Sequence, residues 1–234
     1  MQRISAKSTS WEIYSGLCVR APLVVRADGR GFKKVLAESK KPYDIDFARS
    51  MVNAVMSFFL DFGPTPALAF TFSDEISLVF LKAPFAGRVE KIDSLVAGFL
   101  SAALSLDLCR AVSMDCRTIP LCQAEICEYL RERQDETWRN HVFSYGFYML
   151  QEEGLNGTQA MEKLRGLREP EIHDLVFQRG INLAKTPAWE RRGVMVCRRN
   201  ARIAVDWEIP LFSSEKGKAL LADIIGSAKA GSKK

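Results

Sequence analysis

Two acids, Asp28 and Asp74, stand where a carboxylate can be aimed out of a folded core. Asp28 lies in Pro22 to Phe32, PLVVRADGRGF, where Val24 and Val25 read as a buried strand and the glycines flanking Arg30 as a tight basic turn. Asp74 lies in Pro66 to Phe80, PALAFTFSDEISLVF, where Ser73, Asp74 and Glu75 separate two β-type runs, so a hairpin would put Asp74 at its tip. If these strands are neighbours, the two carboxylates converge on divalent cations, the minimum equipment for two-metal phosphoryl or nucleotidyl transfer. Asp also stabilises turns through local hydrogen bonds, and on spacing alone that plainer use is the commoner one.

The elements that must position these acids follow from periodicity. After the first strand and its turn, a helix is predicted from Asp44, its N-cap, to Asp61, with Phe47, Met51, Val55 and Phe58 or Phe59 inward before Gly63 and Pro64 stop it. The hairpin strands are predicted at Ala67 to Phe72 and Ile76 to Leu81. A helix over Arg88 to Leu106 follows, with Ile92, Leu95, Val96, Phe99 and Leu100 inward, then a fourth strand at Ala111 to Met114. Strand, helix, hairpin, helix, strand is the βαββαβ order of the ferredoxin-like fold, to which the palm of many polymerases belongs. The fold class is therefore α+β, a ferredoxin-like palm with an added helical and hairpin C-terminal half.

In that second half, Leu121 to Glu152 reads as a long helix rich in Arg and aromatics, with a break near Gln134 as an alternative. Thr158 to Leu167 reads as a short helix capped by Thr158, and Pro170 suits the first turn of another. Arg192 to Arg199 and Arg202 to Trp207 read as a hairpin turning at Asn200. Ser213 to Ile225 reads as a last helix capped by Ser213 or Ser214. The chain divides into a palm-like catalytic portion over 1–120, a helical and hairpin portion packed on it over 121–228, and a basic tail over 229–234.

Composition narrows the setting. With 234 residues, 47% hydrophobic and 26% charged, the chain can bury a sizeable core. No apolar run reaches the ~20 residues that cross a bilayer, and residues 1–10 are polar, which points to a cytoplasmic protein without a membrane partner. The six cysteines form no CxxC pair and read as core thiols rather than a zinc site or disulfide framework. The net charge of +5 permits an anionic partner, and basic residues gather at Arg26 to Lys41, Arg131 to Arg139 and Arg165 to Arg202, a pattern suited to phosphate backbones and equally to solvated faces.

Taken together and in order, VVRADGRGF, KPYD at Lys41 to Asp44 and SDEISLVF at Ser73 to Phe80 resemble the tRNA-His guanylyltransferase family. GRVEKI at Gly87 to Ile92 is similar to its basic triphosphate-binding stretch, and YLRERQDETWRNHVFSYGFYML with LNGTQAMEKLRG to its next helical block, so the resemblance covers Pro22 to Arg199. It implies nucleotide addition to tRNA 5′ ends in the 3′-to-5′ direction, with GTP and ATP as substrates, two Mg²⁺ per active site, tRNA bound by its acceptor stem and 5′ end, and a dimer or tetramer. Asp28, Asp74 and the Gly29 carbonyl correspond to its metal ligands, with Glu75 beside them at the catalytic centre but turned to the opposite face from Asp74 by strand periodicity.

Arg88 and Lys91 correspond to its triphosphate cations, three apart on a helix face near free backbone donors. Lys41 corresponds to a lysine near the nucleotide. Arg26, Arg30, Gly31, Phe32, Lys33, Asp44 and Ser73 complete the nucleotide-binding candidates. Arg131, Arg133, Arg139, Asn140, His141 and Arg198 are tRNA-binding candidates, with Trp138, Phe143, Tyr145 and Tyr148 available for stacking or for core packing.

The chain departs from the family at its His-Ile-Asn-Asn motif, where Trp138, Arg139, Asn140 and His141 stand and only Asn140 keeps its type. That makes it similar to the template-dependent bacterial and archaeal branch. His141 and His173 have no nucleophilic partner pattern and read as structural or RNA-facing. A diguanylate-cyclase-like nucleotide cyclase and a non-catalytic RNA-binding protein on the same fold are the competing readings.

Overall fold

The computed structural model describes residues 11–199 and 202–231. Six strands form one antiparallel sheet: β1 (Leu23–Gly29), β2 (Leu68–Phe72), β3 (Glu75–Phe80), β4 (Met114–Pro120), β5 (Val194–Arg199) and β6 (Arg202–Asp206), in the order β4-β1-β3-β2-β5-β6. The first four strands have the ferredoxin-like arrangement, and the late hairpin β5–β6 extends the same sheet beyond β2. A short helix α1 (Phe32–Val35) follows β1, and α2 (Ile45–Asp61) and α3 (Val89–Asp107) make the two crossovers.

Alternation along β1 divides the core. Leu23, Val25 and Ala27 face α2 and α3, meeting Met51, Val55, Phe58, Ile92, Val96 and Leu100, whereas Val24 points to the other face. There, α4 (Glu125–Glu152) and α8 (Glu215–Gly231) supply Ile126, Leu130, Leu221 and Ile224. The far half of α4 carries α5 (Gly157–Leu164) and α6 (Glu169–Phe177) around Val142, Leu150, Leu164 and Val176. Helix α7 (Ala188–Arg192) leads into β5.

Asp44 caps α2 as expected, accepting from the Asp46 amide at 2.9 Å. Ser214 accepts from the Gly217 amide at the start of α8. Several expectations are corrected. Strand β4 begins at Met114, where the expected strand ended, because it is an outer strand of alternating polarity with no continuous apolar run to announce it. Helix α4 is unbroken at Gln134, whose buried amide reaches outward instead, donating to the Arg192 and Pro210 carbonyls and accepting from the Phe212 amide at 2.7 Å.

Helix α5 is capped by Asn156 rather than Thr158, through a reciprocal box with Gln159. Leu95 faces solvent. The core-thiol expectation holds for Cys197 alone among fully buried cysteines, since Cys18, Cys109, Cys122 and Cys127 are exposed. The Asn200 turn and 232–234 of the basic tail lie outside the described residues.

Candidate active site

The hairpin β2–β3 closes through two residues, Ser73 and Asp74, because Phe72 pairs directly with Glu75. Ser73 takes the left-handed conformation at φ 49°, and its hydroxyl lies 3.2 Å from Asp74 Oδ1. The Gly29 amide donates to the Asp74 carbonyl at 3.1 Å, which ties the hairpin tip to the end of β1. Asp28 is one residue away. Burial, and then the neighbouring Asp28 charge, hold the Asp74 carboxyl above the usual carboxylate range.

Gly29 is required by this approach. A β-carbon there would sit 2.5 Å from the Phe32 ring and 2.8 Å from Asp74 Oδ2. Phe32 is in the core against Phe47, so neither neighbour can yield freely. Gly29→Ala is expected to cost about 1–3 kcal/mol of stability as an overpacked core does, and to displace the Asp74 carboxylate. Thermal unfolding alongside a nucleotide-incorporation assay checks both effects, and wild-type behaviour in the two would refute this account of Gly29.

Register places two further acids beside Asp28. In β3 Glu75 is directly opposite it, and in β4 Asp115 is directly opposite on the other side, so one face carries a row of three acids. The row behind it holds Arg26 and Arg117, two residues back along their strands. Asp115 pairs with Arg117 at 3.2 Å, and Glu75 with Arg133 at 3.2 Å and Arg26 at 3.9 Å. Among the described residues, Asp28 and Asp74 have no such pairing. Glu75 is thus turned to the arginines, as strand periodicity predicts. Burial raises its pKa against the pull of Arg133 and Arg26.

These donors suit magnesium: hard carboxylate oxygens, a main-chain carbonyl, and negative charge that the protein leaves uncompensated. No cluster of three His, Cys, Asp or Glu side chains able to hold a metal exists among the described residues. A cation here would complete its shell with main-chain, water and phosphate oxygens, as magnesium commonly does.

Beside the acids a cavity of about 340 Å³ opens between α1, α2 and α4. Asp74 and Ser73 form one wall, Phe32 and Lys33 another, and Lys41, Asp44 and Asn140 also reach it. Lys41 Nζ donates to the Leu36 carbonyl and lies 5.5 Å from the Tyr148 ring centre. Asp44 is occupied with capping. Arg30 is exposed, and Gly31, at φ 72°, starts α1. Lys40, Tyr43, Trp189 and Glu190 line the same cavity without having been expected. Lys40 adjoins KPYD and Tyr43 belongs to it, so both were within reach of that motif. Trp189 and Glu190 arrive through a long-range contact that local sequence does not signal.

Other expected residues lie elsewhere. Arg88 and Lys91 are at the opposite end of the sheet, because β3 runs from Glu75 beside Asp28 to Phe80 beside Leu23 before α3 begins. Five strand steps separate those ends by about 17 Å. Lys91 stands over the Phe85 ring, and the Val89 amide is taken by the Leu17 carbonyl rather than free for phosphate. Arg198 is at that far end too, bonded to the Phe59 carbonyl at 2.8 Å.

Arg133 and Arg139 line one groove along α4, while Arg131 pairs with Glu128 outside it. Trp138, Phe143 and Tyr145 are packed around the α4–α6 core, and Tyr148 lies under Lys41.

His141 is fully buried, so it is corrected from an RNA contact to a core residue. Its ring stacks on Tyr43 at 5.5 Å and Trp138 at 5.7 Å, Nε2 is 3.0 Å from Thr186 Oγ1, and Nδ1 has no partner. Burial, and then Arg191, push its pKa down to about 3. Tyr145 on its own helix also faces it, at 4.7 Å. The native state keeps His141 neutral while the unfolded chain protonates it below ~6.5, so stability present above that pH is lost as pH falls toward 3. By pH 5 the loss from this residue is about 2 kcal/mol. His141→Gln should flatten the fall in thermal midpoint between pH 7 and pH 5, and an unchanged difference would refute the assignment.

A family model described as tRNAHis guanylyltransferase matches residues 6–130. The probable tRNA(His) guanylyltransferase of Drosophila melanogaster is 31% identical over 195 residues, 76% of this chain and 67% of that protein. tRNA(His) guanylyltransferase 1 of Arabidopsis thaliana is 30% identical over 79% of this chain, which spans only 35% of that longer relative. In fold, the chain is similar to a bacterial tRNA(His) guanylyltransferase-like protein in complex with ATP, with a TM-score of 0.75, 24% identity, and coverage of 90% of this chain and 93% of that one. The Saccharomyces cerevisiae tRNA(His) guanylyltransferase matches at a TM-score of 0.71 and 24% identity, over 84% of this chain and 93% of that one.

Proposed function

As the chain belongs to the tRNAHis guanylyltransferase family, we propose that it is a nucleotidyltransferase adding guanylate or other nucleotides to the 5′ end of tRNA, in the 3′-to-5′ direction. The observation that carries this reading is the pair Asp28 and Asp74, uncompensated at the junction of β1 with the β2–β3 turn while the acids on either side of Asp28 are each held by arginine. Asp28, Asp74 and the Gly29 carbonyl would hold magnesium, which, when bound, activates the attacking hydroxyl and offsets triphosphate charge.

The chain's own groups do the rest. Ser73 fixes the Asp74 carboxylate through its hydroxyl. The cavity next to it offers Phe32 and Tyr43 as apolar surface for a purine, with Lys33, Lys40 and Lys41 toward phosphate and Asn140 as a polar contact. ATP or GTP is the occupant this lining suits, and the bacterial proteins of similar fold are complexes with ATP and with GTP. The tRNA 5′-phosphate attacks the α-phosphorus of ATP and pyrophosphate leaves; the 3′-hydroxyl of an incoming nucleotide then attacks the activated 5′-phosphorus, and AMP leaves. Both are in-line displacements at phosphorus, so one site serves both and no protein nucleophile is required.

The test is to incubate the protein with labelled GTP, ATP and magnesium, with and without a tRNA lacking its first nucleotide. Label joined to the RNA 5′ end supports the reading. A cyclic nucleotide product made without RNA, or RNA binding without incorporation, refutes it.

A further inference from the structure

A cavity of about 450 Å³ lies between α4, α7 and the segment 207–213. Arg191 and Arg192 reach it, with Trp138, Ser213 and Arg139, whose guanidinium is paired with Glu136. Arg191 and Arg192 form no ion pair among the described residues. Arg191 Nε donates to the Thr186 carbonyl at 3.0 Å and Arg192 Nη1 to the Ile209 carbonyl at 3.2 Å, while Arg192 Nε is buried with no acceptor. Burial, then Arg191 beside it, disfavour the charge on Arg192, against the attraction of Glu208.

Two acids share the wall. Glu169 is engaged by the Trp138 indole, and Asp135 is exposed. Two adjacent, half-buried guanidinium groups with no paired carboxylate among the described residues can be matched by an anion from outside, and the planar fork of arginine suits phosphate.

The cavity is linked to the acidic row through shared arginines and their partners. A neighbouring groove of about 420 Å³ shares Asp135 and Arg139 with it and extends to Arg26 and Arg133, the residues that hold Glu75 opposite Asp28. From Arg133 to Arg139 the helix advances about 9 Å.

We propose that the cavity walled by Arg139, Arg191 and Arg192 is a phosphodiester site that takes a backbone phosphate of the RNA whose 5′ end lies at Asp28 and Asp74. The assignment rests on the tRNA reading above. It gives Arg191 and Arg192 a role that neither the acids nor the nucleotide cavity requires.

The experiment measures tRNA affinity against salt concentration, with the KM for ATP in parallel. Arg191→Gln should weaken tRNA binding several-fold and reduce the slope of log K against log salt by about one, leaving the ATP KM unchanged. Arg191→Lys should keep the slope and lose affinity, because the charge stays and the fork goes. Asp135→Asn, which removes a repelling acid, should tighten binding, and this arm decides the matter if Arg191→Gln does not fold. A wild-type slope in Arg191→Gln, no tightening in Asp135→Asn, or a raised ATP KM with RNA affinity intact would each overturn the phosphodiester site alone. Wild-type protein that fails to bind tRNA would overturn the functional reading and this site together.

Discussion

Asp28→Asn and Asp74→Asn should each lower magnesium-dependent nucleotide addition by about 10³-fold or more, with thermal midpoints within about 2 °C of wild type or above it. The first effect follows from the proposed metal site, in which Asp28 and Asp74 are the carboxylate ligands and each substitution removes one hard anion. The second follows from the electrostatics of the protein itself. Asp74 is desolvated and repelled by Asp28, and among the described residues neither carboxylate is held by a cation. Neutralising either one relieves repulsion and breaks no ion pair. Retained turnover by both purified variants would sink the assignment, and a large loss of stability would show that the pair serves the fold.

Glu75, directly across from Asp28, should behave in the opposite way. Its side chain is 14% exposed and is shared by Arg133, at 15%, and Arg26, at 22%. Glu75→Ala would leave two desolvated guanidinium groups without their anion, which costs about 3 kcal/mol, or roughly 6–12 °C in thermal midpoint for a chain of this size. Glu75→Gln keeps an acceptor and should lose less. Assayed well below its midpoint, Glu75→Gln should retain measurable nucleotide addition where Asp28→Asn does not. Wild-type stability combined with complete inactivity in Glu75→Gln would instead place Glu75 among the metal ligands.

This contrast marks how far the sequence could be read. The strand ending in Asp28, the hairpin with Asp74 at its tip and the helix capped by Asp44 were legible because each is a local pattern: an apolar run, a turn pair, a cap before a helical stripe. The βαββαβ order was legible as a sum of such patterns. Strand β4 was misjudged by several residues because Asp115 and Arg117 alternate with Met114 and Cys116 and leave no continuous apolar run. Arg88 and Lys91 were correctly spaced for one helix face. Which end of the sheet that helix starts from depends on the register of β3 against β1, which no local spacing records. Likewise, His141 and Gln134 look like surface polar residues on a helix, and only the packing of α6, α7 and the 207–213 segment buries them.

The late hairpin has a consequence for how the chain matures. Strand β2, buried along its whole length, pairs with β3 on one side and on the other with β5, more than a hundred residues downstream. Until β5 is synthesised, Leu68–Phe72 presents an apolar ribbon with its hydrogen-bonding groups unpaired, the kind of edge that recruits other chains. The long loop that must close before it is covered makes this step slow relative to the local helices. The strands that carry Asp28 and Asp74 therefore keep an unpaired edge until β5 reaches it, so a substitution that weakens β5 is expected to act through aggregation as well as through stability.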